Sequence, residues 1–125
     1  MSSEPTIKKL LIVDDSKVSR MVIKARVKAI HPDWEILEAN NGTEGIAVAE
    51  QHKPDFCTMD INMPGILGTE AAEHILKSVP SIRMVIFSAN IQETFQDKAN
   101  AMGAVFVAKP VTEKSIAEAL RYFLG

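Results

Sequence analysis

The sequence has little of what marks secreted, membrane or nucleic-acid-binding proteins. It contains one cysteine, Cys57, which excludes an intramolecular disulfide and favours a reducing compartment. The first strongly apolar run, residues 10–13, is followed by two aspartates and is too short for a membrane span or a signal peptide. The formal net charge of −2 shows no excess of basic residues, which argues weakly against nucleic-acid binding. We therefore expect a cytoplasmic protein without membrane insertion or nucleic-acid binding.

The remaining composition is that of one globular domain. Hydrophobic residues make up 46% of the 125 residues and charged residues 24%, which is typical of proteins that bury a core. Residues 1–6 are largely polar and include Pro5, so we predict a flexible leader there and a single folded domain over residues 7–125.

Short apolar runs alternate with longer segments of helical periodicity. We predict strands at 10–13, 35–39, 56–59, 84–87 and 105–108. We predict helices at 17–29, 42–52, 68–78 and 92–102, and a last helix after Thr112. This alternation requires parallel strands joined by right-handed crossovers. The fold class is therefore α/β, a doubly wound five-stranded parallel sheet with five flanking helices.

Helix 17–29 carries two local signals. Ser16 can cap its start, because a serine oxygen there accepts a backbone amide hydrogen that has no partner within the helix. Val18, Val22, Ala25 and Ala29 share one apolar face of this helix, and the lysines point elsewhere.

Polar residues that could bind a ligand or take part in catalysis follow four of the predicted strands. Asp14 and Asp15 follow the first strand, Asp60 the third, Ser88 the fourth and Lys109 the fifth. In an open parallel sheet, ligands bind beyond the carboxyl ends of the strands. We therefore expect three carboxylates, a hydroxyl and an ammonium group at one edge of the molecule.

Such a cluster favours a divalent cation and a phosphoryl group. Two carboxylates about 4 Å apart repel by roughly 4 kcal/mol at an effective dielectric constant near 20. Lys109 offsets one charge, and a hard cation with oxygen ligands and open water positions, Mg²⁺, suits the remainder. Metal, lysine and hydroxyl would together stabilise a phosphoryl group in transfer. Asp60 is the best candidate nucleophile because it ends a central strand.

Four motifs carry a resemblance that spans residues 8–124. They are the acidic pair within Leu-Ile-Val-Asp14-Asp15-Ser, the Met-Asp60-Ile-Asn-Met-Pro-Gly loop, Phe-Ser88-Ala and Lys109-Pro110. With this order and spacing, the chain resembles the receiver domains of two-component response regulators, in particular the stand-alone chemotaxis type. The resemblance implies a flavodoxin-like sheet of strand order 2-1-3-4-5.

The resemblance also implies the chemistry of the site. Asp60 would accept a phosphoryl group from a sensor histidine kinase or a histidine phosphotransfer protein. Mg²⁺, for which Mn²⁺ is expected to substitute, would be held by Asp14, Asp15, Asp60 and the backbone carbonyl of Asn62. Catalysis would be limited to the protein's own phosphorylation and dephosphorylation, so the chain would not be an enzyme acting on other substrates.

Further residue roles follow from the same resemblance. Ser88 and Lys109 would contact the phosphoryl oxygens, and the Lys109–Pro110 bond would be cis. Ser88 and Phe106 would form a switch pair, although phenylalanine has no hydroxyl and can act only through packing. Two further residues would set the lifetime of the phosphoryl group, namely Asn62 and Asn90.

The signal is expected to leave through a surface. We expect no output domain after Gly125, so a protein target would bind the face of the fourth helix, fifth strand and fifth helix, between Gln92 and Leu124. The unphosphorylated protein is expected to be a monomer.

Three other functions compete with this one. A phosphorelay intermediate, or phosphate sink, would pass the phosphoryl group to a histidine phosphotransfer protein. An aspartate-nucleophile, metal-dependent phosphatase of the haloacid dehalogenase type would have an acid two residues after the nucleophile, where this chain has Asn62. A mononucleotide binder is disfavoured because the loop after the first strand is acidic.

Overall fold

The computed structural model describes residues 7–125, so the leader predicted for residues 1–6 lies outside the described part. Strands and helices alternate as predicted, with boundaries that differ by at most one residue. The strands are β1 (Lys9–Val13), β2 (Glu35–Ala39), β3 (Phe56–Met59), β4 (Arg83–Ser88) and β5 (Val105–Ala108). The helices are α1 (Lys17–Ile30), α2 (Gly42–His52), α3 (Gly68–Ser78), α4 (Glu93–Ala101) and α5 (Glu113–Leu124).

The five strands form one parallel sheet in the order β2-β1-β3-β4-β5, which confirms the predicted fold class and strand order. Side chains of the central strands alternate between two cores. Leu11 and Met59 face the helices α2, α3 and α4, whereas Leu10 and Phe56 face α1 and α5. Because both faces are covered, these strands are almost continuously apolar and do not alternate with polar residues.

The apolar face predicted for α1 does not pack on the sheet. The buried residues of this helix are Ile23 and Val27, and Val18 is 70% exposed. The packed side also carries Arg20, whose guanidinium donates to the Asp14 carbonyl oxygen at 2.6 Å. Arg20 interrupts the apolar pattern of the packed side. The pattern of small apolar residues in the sequence therefore indicates a different face of α1 from the one that packs on the sheet. The cap at Ser16 is confirmed, since its hydroxyl accepts the Ser19 amide hydrogen.

The ends of α2 and α5 are fixed by side-chain caps. Asn41 accepts the Glu44 amide hydrogen at the start of α2, and Thr112 and Ser115 form a reciprocal capping box at the start of α5. The inward faces of α3 and α5 bury Ile75 and Ile116. Within residues 7–125, no helix combines the length and apolar character needed to cross a bilayer.

Candidate functional site

Three carboxylates meet at the carboxyl edge of the sheet. β1 and β3 are neighbours with Val13 opposite Met59, so the next residues, Asp14 and Asp60, stand side by side. One carboxylate oxygen from each of Asp14, Asp15 and Asp60 lies within 4.8 Å of the others. Asp14 and Asp60 are buried and Asp15 is exposed, so the cluster is shielded from solvent at the first two residues and open to solvent at Asp15.

Lys109 follows the edge strand β5 and extends to this cluster along the carboxyl edge of the sheet. Its ammonium nitrogen lies 2.8 Å from Asp14 Oδ2 and 3.6 Å from Asp60 Oδ2. The Lys109 amide donates to the Ser88 carbonyl oxygen at 3.0 Å, and the Lys109–Pro110 peptide bond is cis. The lysine therefore offsets part of the negative charge shared by the two buried carboxylates.

The Asp60 carboxyl group is held in one orientation in a partly desolvated position. Its Oδ1 accepts the Ile61 amide hydrogen at 2.9 Å, which leaves Oδ2 facing Lys109. Burial raises the pKa of Asp60 above its ordinary value; the Lys109 ammonium lowers it, and the Asp14 carboxylate raises it further. Ionisation of the Asp60 carboxyl group is therefore costly, mainly because the group is buried and further because Asp14 is close, and an added cation would offset that cost.

The donor set fits Mg²⁺. All candidate ligands from side chains are carboxylate oxygens, and the exposed position of Asp15 leaves room for water, which Mg²⁺ retains. Asn62 is exposed in the loop after Asp60, where its backbone carbonyl remains a candidate ligand. Its side-chain oxygen instead accepts a hydrogen bond from Asn90 Nδ2 at 3.0 Å.

The hydroxyl and aromatic candidates lie on β4 and β5. Ser88 is buried at the end of β4, and its Oγ accepts the Asn90 amide hydrogen at 3.1 Å. Phe106 is opposite Ile86, two residues before Ser88, and its half-buried ring packs against the core under α2, α3 and α4. The half-buried ring therefore lies beside the strand that carries Ser88.

Sequence reasoning did not identify Gly68, which shapes the loop under Asp60. Its amide donates to the Ile61 carbonyl oxygen at 2.9 Å, and a Cβ at this position would lie 1.6 Å from the Asp60 carbonyl oxygen. A glycine that opens a helix shortly after the candidate nucleophile is the signal that could have found it. The contact of Arg20 with Asp14 was also missed, because nothing in the sequence ties those two residues together.

The fold and the site define an α/β receiver: a parallel sheet whose carboxyl edge presents an aspartate among acids, a hydroxyl and a lysine. A family model described as response regulator receiver domain matches residues 10–121, and the chain belongs to this family.

Full-length relatives are similar over most of their chains. The chemotaxis protein CheY of Listeria monocytogenes is 40% identical over 114 residues, covering 90% of this chain and 94% of its own. Protein PilH of Pseudomonas aeruginosa is 33% identical over 120 residues, covering 94% and 98% respectively. Among solved structures, the response regulator domain of Thermotoga maritima CheB superposes with a TM-score of 0.82 at 32% identity, covering 95% of each chain. The chain is thus similar to stand-alone chemotaxis-type receivers.

Proposed function

We propose that this protein is a phosphorylation-controlled binding module. Asp60 accepts a phosphoryl group from a phosphohistidine on a sensor histidine kinase or a histidine phosphotransfer protein, with Mg²⁺ as cofactor. The observation that carries the proposal is the cluster of Asp14, Asp15 and Asp60 with the Lys109 ammonium 2.8 Å from Asp14 and 3.6 Å from Asp60.

The transfer is a displacement at phosphorus. Asp60 Oδ2 forms a bond to phosphorus while the nitrogen–phosphorus bond of the donor breaks, and the departing imidazole takes up a proton. Lys109 offsets charge on the phosphoryl oxygens, and Ser88 donates a hydrogen bond to one of them. Asp14, Asp15, Asp60 and the Asn62 carbonyl would hold Mg²⁺, or Mn²⁺ in its place, and the cation would supply positive charge to the phosphoryl oxygens.

The same site would limit the lifetime of the signal. Asn62 and Asn90 flank the approach to Asp60, and they determine how readily water reaches the phosphoryl group. Apart from this self-directed chemistry the protein acts on no external substrate. Turnover of a phosphoester such as p-nitrophenyl phosphate would support the phosphatase alternative instead.

A protein donor would contact the apolar surface beside Lys109. A cavity of about 520 Å³ opens there, next to the exposed side chain of Val18, and its lining comes from α1 and the segments after β4 and β5: Val18, Ser19, Val22, Ala89, Lys109, Pro110 and Val111. Val18→Glu would then slow phosphoryl transfer from a histidine kinase and leave transfer from acetyl phosphate unchanged. Equal slowing with both donors would contradict this part of the proposal.

Output would use the face of α4, β5 and α5, residues 92–124. A target protein in the cytoplasm binds it more tightly when Asp60 is phosphorylated, and Ser88 and Phe106 act as the switch pair. The unphosphorylated protein is a monomer. By analogy with the CheY relatives, the pathway is proposed to be a chemotaxis-type two-component system.

The decisive experiment is incubation with Mg²⁺ and acetyl phosphate or phosphoramidate, followed by intact mass measurement. The wild type should gain one phosphoryl unit, Asp60→Asn should gain none, and Asp97→Asn on α4 should behave as the wild type. An unmodified wild type, or a modified Asp60→Asn variant, would refute phosphorylation at Asp60.

The binding step has its own test. Beryllofluoride mimics the phosphoryl group, so the affinity of an isolated target should rise when Mg²⁺ and beryllofluoride are added. Equal affinities in both states would refute phosphorylation-dependent binding. Onward transfer of the phosphoryl group to a phosphotransfer protein, without any change in target affinity, would identify the relay alternative.

A further inference from the structure

Another cavity lies between α3 and α4, apart from the candidate phosphorylation site. Its volume is about 520 Å³, which is within the range of pockets that bind small molecules. None of the residues that line it belongs to the carboxylate cluster around Asp60. The lining residues come from α3, from the second half of α4 and from the residue after it: Thr69, Glu70, Glu73, Lys98, Ala101 and Met102.

The two walls of this cavity carry charges of opposite sign that do not pair with each other. α3 contributes the exposed carboxylates of Glu70 and Glu73, and α4 contributes the exposed ammonium group of Lys98. Within residues 7–125, neither carboxylate forms an ion pair with Lys98, and Glu73 pairs only with Lys77 of its own helix, at 4.0 Å. The Lys98 ammonium nitrogen lies 5.9 Å from the centre of the Phe95 ring. A ligand between the walls could therefore pair with both signs of charge at once.

Thr69 supplies a polar atom that lacks a partner. The residue is 3% exposed, and its Oγ1 forms no hydrogen bond with any residue of the described range 7–125. A hydroxyl group can donate one hydrogen bond and accept two, and a buried one that makes none is unfavourable. Because Thr69 lines the cavity, a polar group of a bound ligand could satisfy it. This unpartnered hydroxyl is an observation independent of the charges on the two walls.

The lining restricts the chemistry of the ligand. Two carboxylates and one ammonium group leave an excess of negative charge, which is complementary to a molecule with two cationic groups and one carboxylate. Glu70 and Glu73 would repel nucleotides and other polyanions, and a simple diamine would leave Lys98 without a partner. Ala101 and Met102 offer an apolar surface on which a short methylene chain can lie.

We propose that the cavity between α3 and α4 binds a free basic α-amino acid of the arginine or lysine class. The two cationic groups of the ligand pair with Glu70 and Glu73, its carboxylate pairs with Lys98, and one of its polar groups bonds to the Thr69 hydroxyl. The site is separate from Asp60, so this inference does not rest on the proposed function, and neither acetyl phosphate nor Mg²⁺ is needed to test it.

The test is titration of the nitrogen-15-labelled protein with arginine, followed by two-dimensional NMR. Arginine should shift the amide resonances of α3 and of the second half of α4 in a saturable manner. Two analogues separate the parts of the ligand, since agmatine lacks the carboxylate and citrulline has a neutral side chain. Each should bind about two- to fivefold more weakly than arginine, the range for one exposed ion pair. No saturable shift with arginine, or equal binding of all three compounds, would overturn the proposal.

Substitutions assign each contact. Lys98→Met should weaken arginine binding about two- to fivefold without weakening agmatine, which has no carboxylate for that lysine. Glu70→Gln should weaken the binding of both compounds. Thr69→Val keeps the shape of the side chain and should weaken arginine binding about fivefold, the factor for one ordinary hydrogen bond. Amide resonances far from the cavity show in the same spectra whether each variant is folded.

Glu118→Gln, at an exposed position of α5, is the matched control for the loss of one carboxylate and should bind arginine as the wild type does. Equal losses in Glu118→Gln and Glu70→Gln would mean that arginine responds to the net charge of the protein and not to a site. Unchanged arginine binding in Lys98→Met would likewise overturn the assignment of the ligand carboxylate to α4.

Discussion

Among single residues, Asp60 carries the main electrostatic cost of the site. Its carboxyl group is buried between the Asp14 carboxylate and the Lys109 ammonium, and burial raises its pKa. A carboxyl group whose pKa is raised by folding holds its proton more tightly in the folded state. Its ionisation therefore lowers the free energy of unfolding, so an ionised nucleophile at this position makes the folded protein less stable.

Asp60→Asn should raise the free energy of unfolding by about 1–2 kcal/mol at neutral pH, since it removes a desolvated charge and retains the shape of the side chain. The gain should be small below the ordinary carboxyl pKa of 3.8 and grow as pH rises through the raised pKa of the folded protein. Urea unfolding at several pH values would measure it. A gain that is independent of pH would contradict the electrostatic explanation, and Asp97→Asn serves as the exposed control.

Thr58 gives a second prediction at a single residue. It is buried in β3, and its hydroxyl has no hydrogen-bond partner in the described part of the chain. Thr58→Val replaces that hydroxyl by a methyl group of similar shape, and we expect unfolding to cost about 1 kcal/mol more. Thr58→Ala should instead lower the stability because it leaves a cavity. Denaturant titration of both variants tests the pair, and loss of stability in Thr58→Val would contradict it.

Secondary-structure elements decide how the nucleophile is held. α3 begins so close to the loop after β3 that its first residue, Gly68, packs directly on the Asp60 backbone. α2 also begins with a glycine, Gly42, but a Cβ there would meet side-chain atoms and no backbone, with Ile66 Cγ1 at 2.8 Å and Ala71 Cβ at 3.0 Å. The same residue type at the same helix position therefore has two different structural roles.

Gly68→Ala should lower the free energy of unfolding by about 1–3 kcal/mol and slow phosphorylation by acetyl phosphate, because the added methyl group must displace the Asp60 backbone. Gly42→Ala should cost less and leave phosphorylation intact, since Ile66 can shift. Urea unfolding and intact mass time courses measure the two effects. Similar losses in both variants would mean that the close approach of α3 to Asp60 has no special role.

At the scale of the whole molecule, cation binding should be linked to folding. The three carboxylates come together only when β1 and β3 pair, so Mg²⁺ should bind the folded chain in preference to the unfolded one. Mg²⁺ at about ten times its dissociation constant should then stabilise the protein by about 1.4 kcal/mol. Thermal unfolding with and without Mg²⁺ measures this, and Asp15→Asn should reduce the shift. A shift of equal size in Asp15→Asn and Asp97→Asn would point to a nonspecific salt effect.

The order of elements and the membership of the site were predictable from the sequence. Runs such as 84–87 are apolar throughout because both faces of a central strand are covered, and that pattern is local. The residues that follow each strand, among them Asp14, Asp60 and Lys109, fall at one edge in any parallel sheet. Local periodicity and connectivity are therefore enough to gather the candidates.

Only the tertiary structure decided which of these residues touch, and which helix faces are covered. Lys109 contacts Asp14, which lies 95 residues earlier in the sequence. Whether the two side chains meet depends on the strand order and on the length of the lysine side chain. The apolar stripe of α1 that includes Val18 remains exposed, because the sheet receives the side with Ile23 and Val27 instead. Likewise the pairing of Asn62 with Asn90 arises where two separate loops meet. Sequence patterns record the neighbours of a residue along the chain, whereas these contacts depend on how distant segments pack against one another.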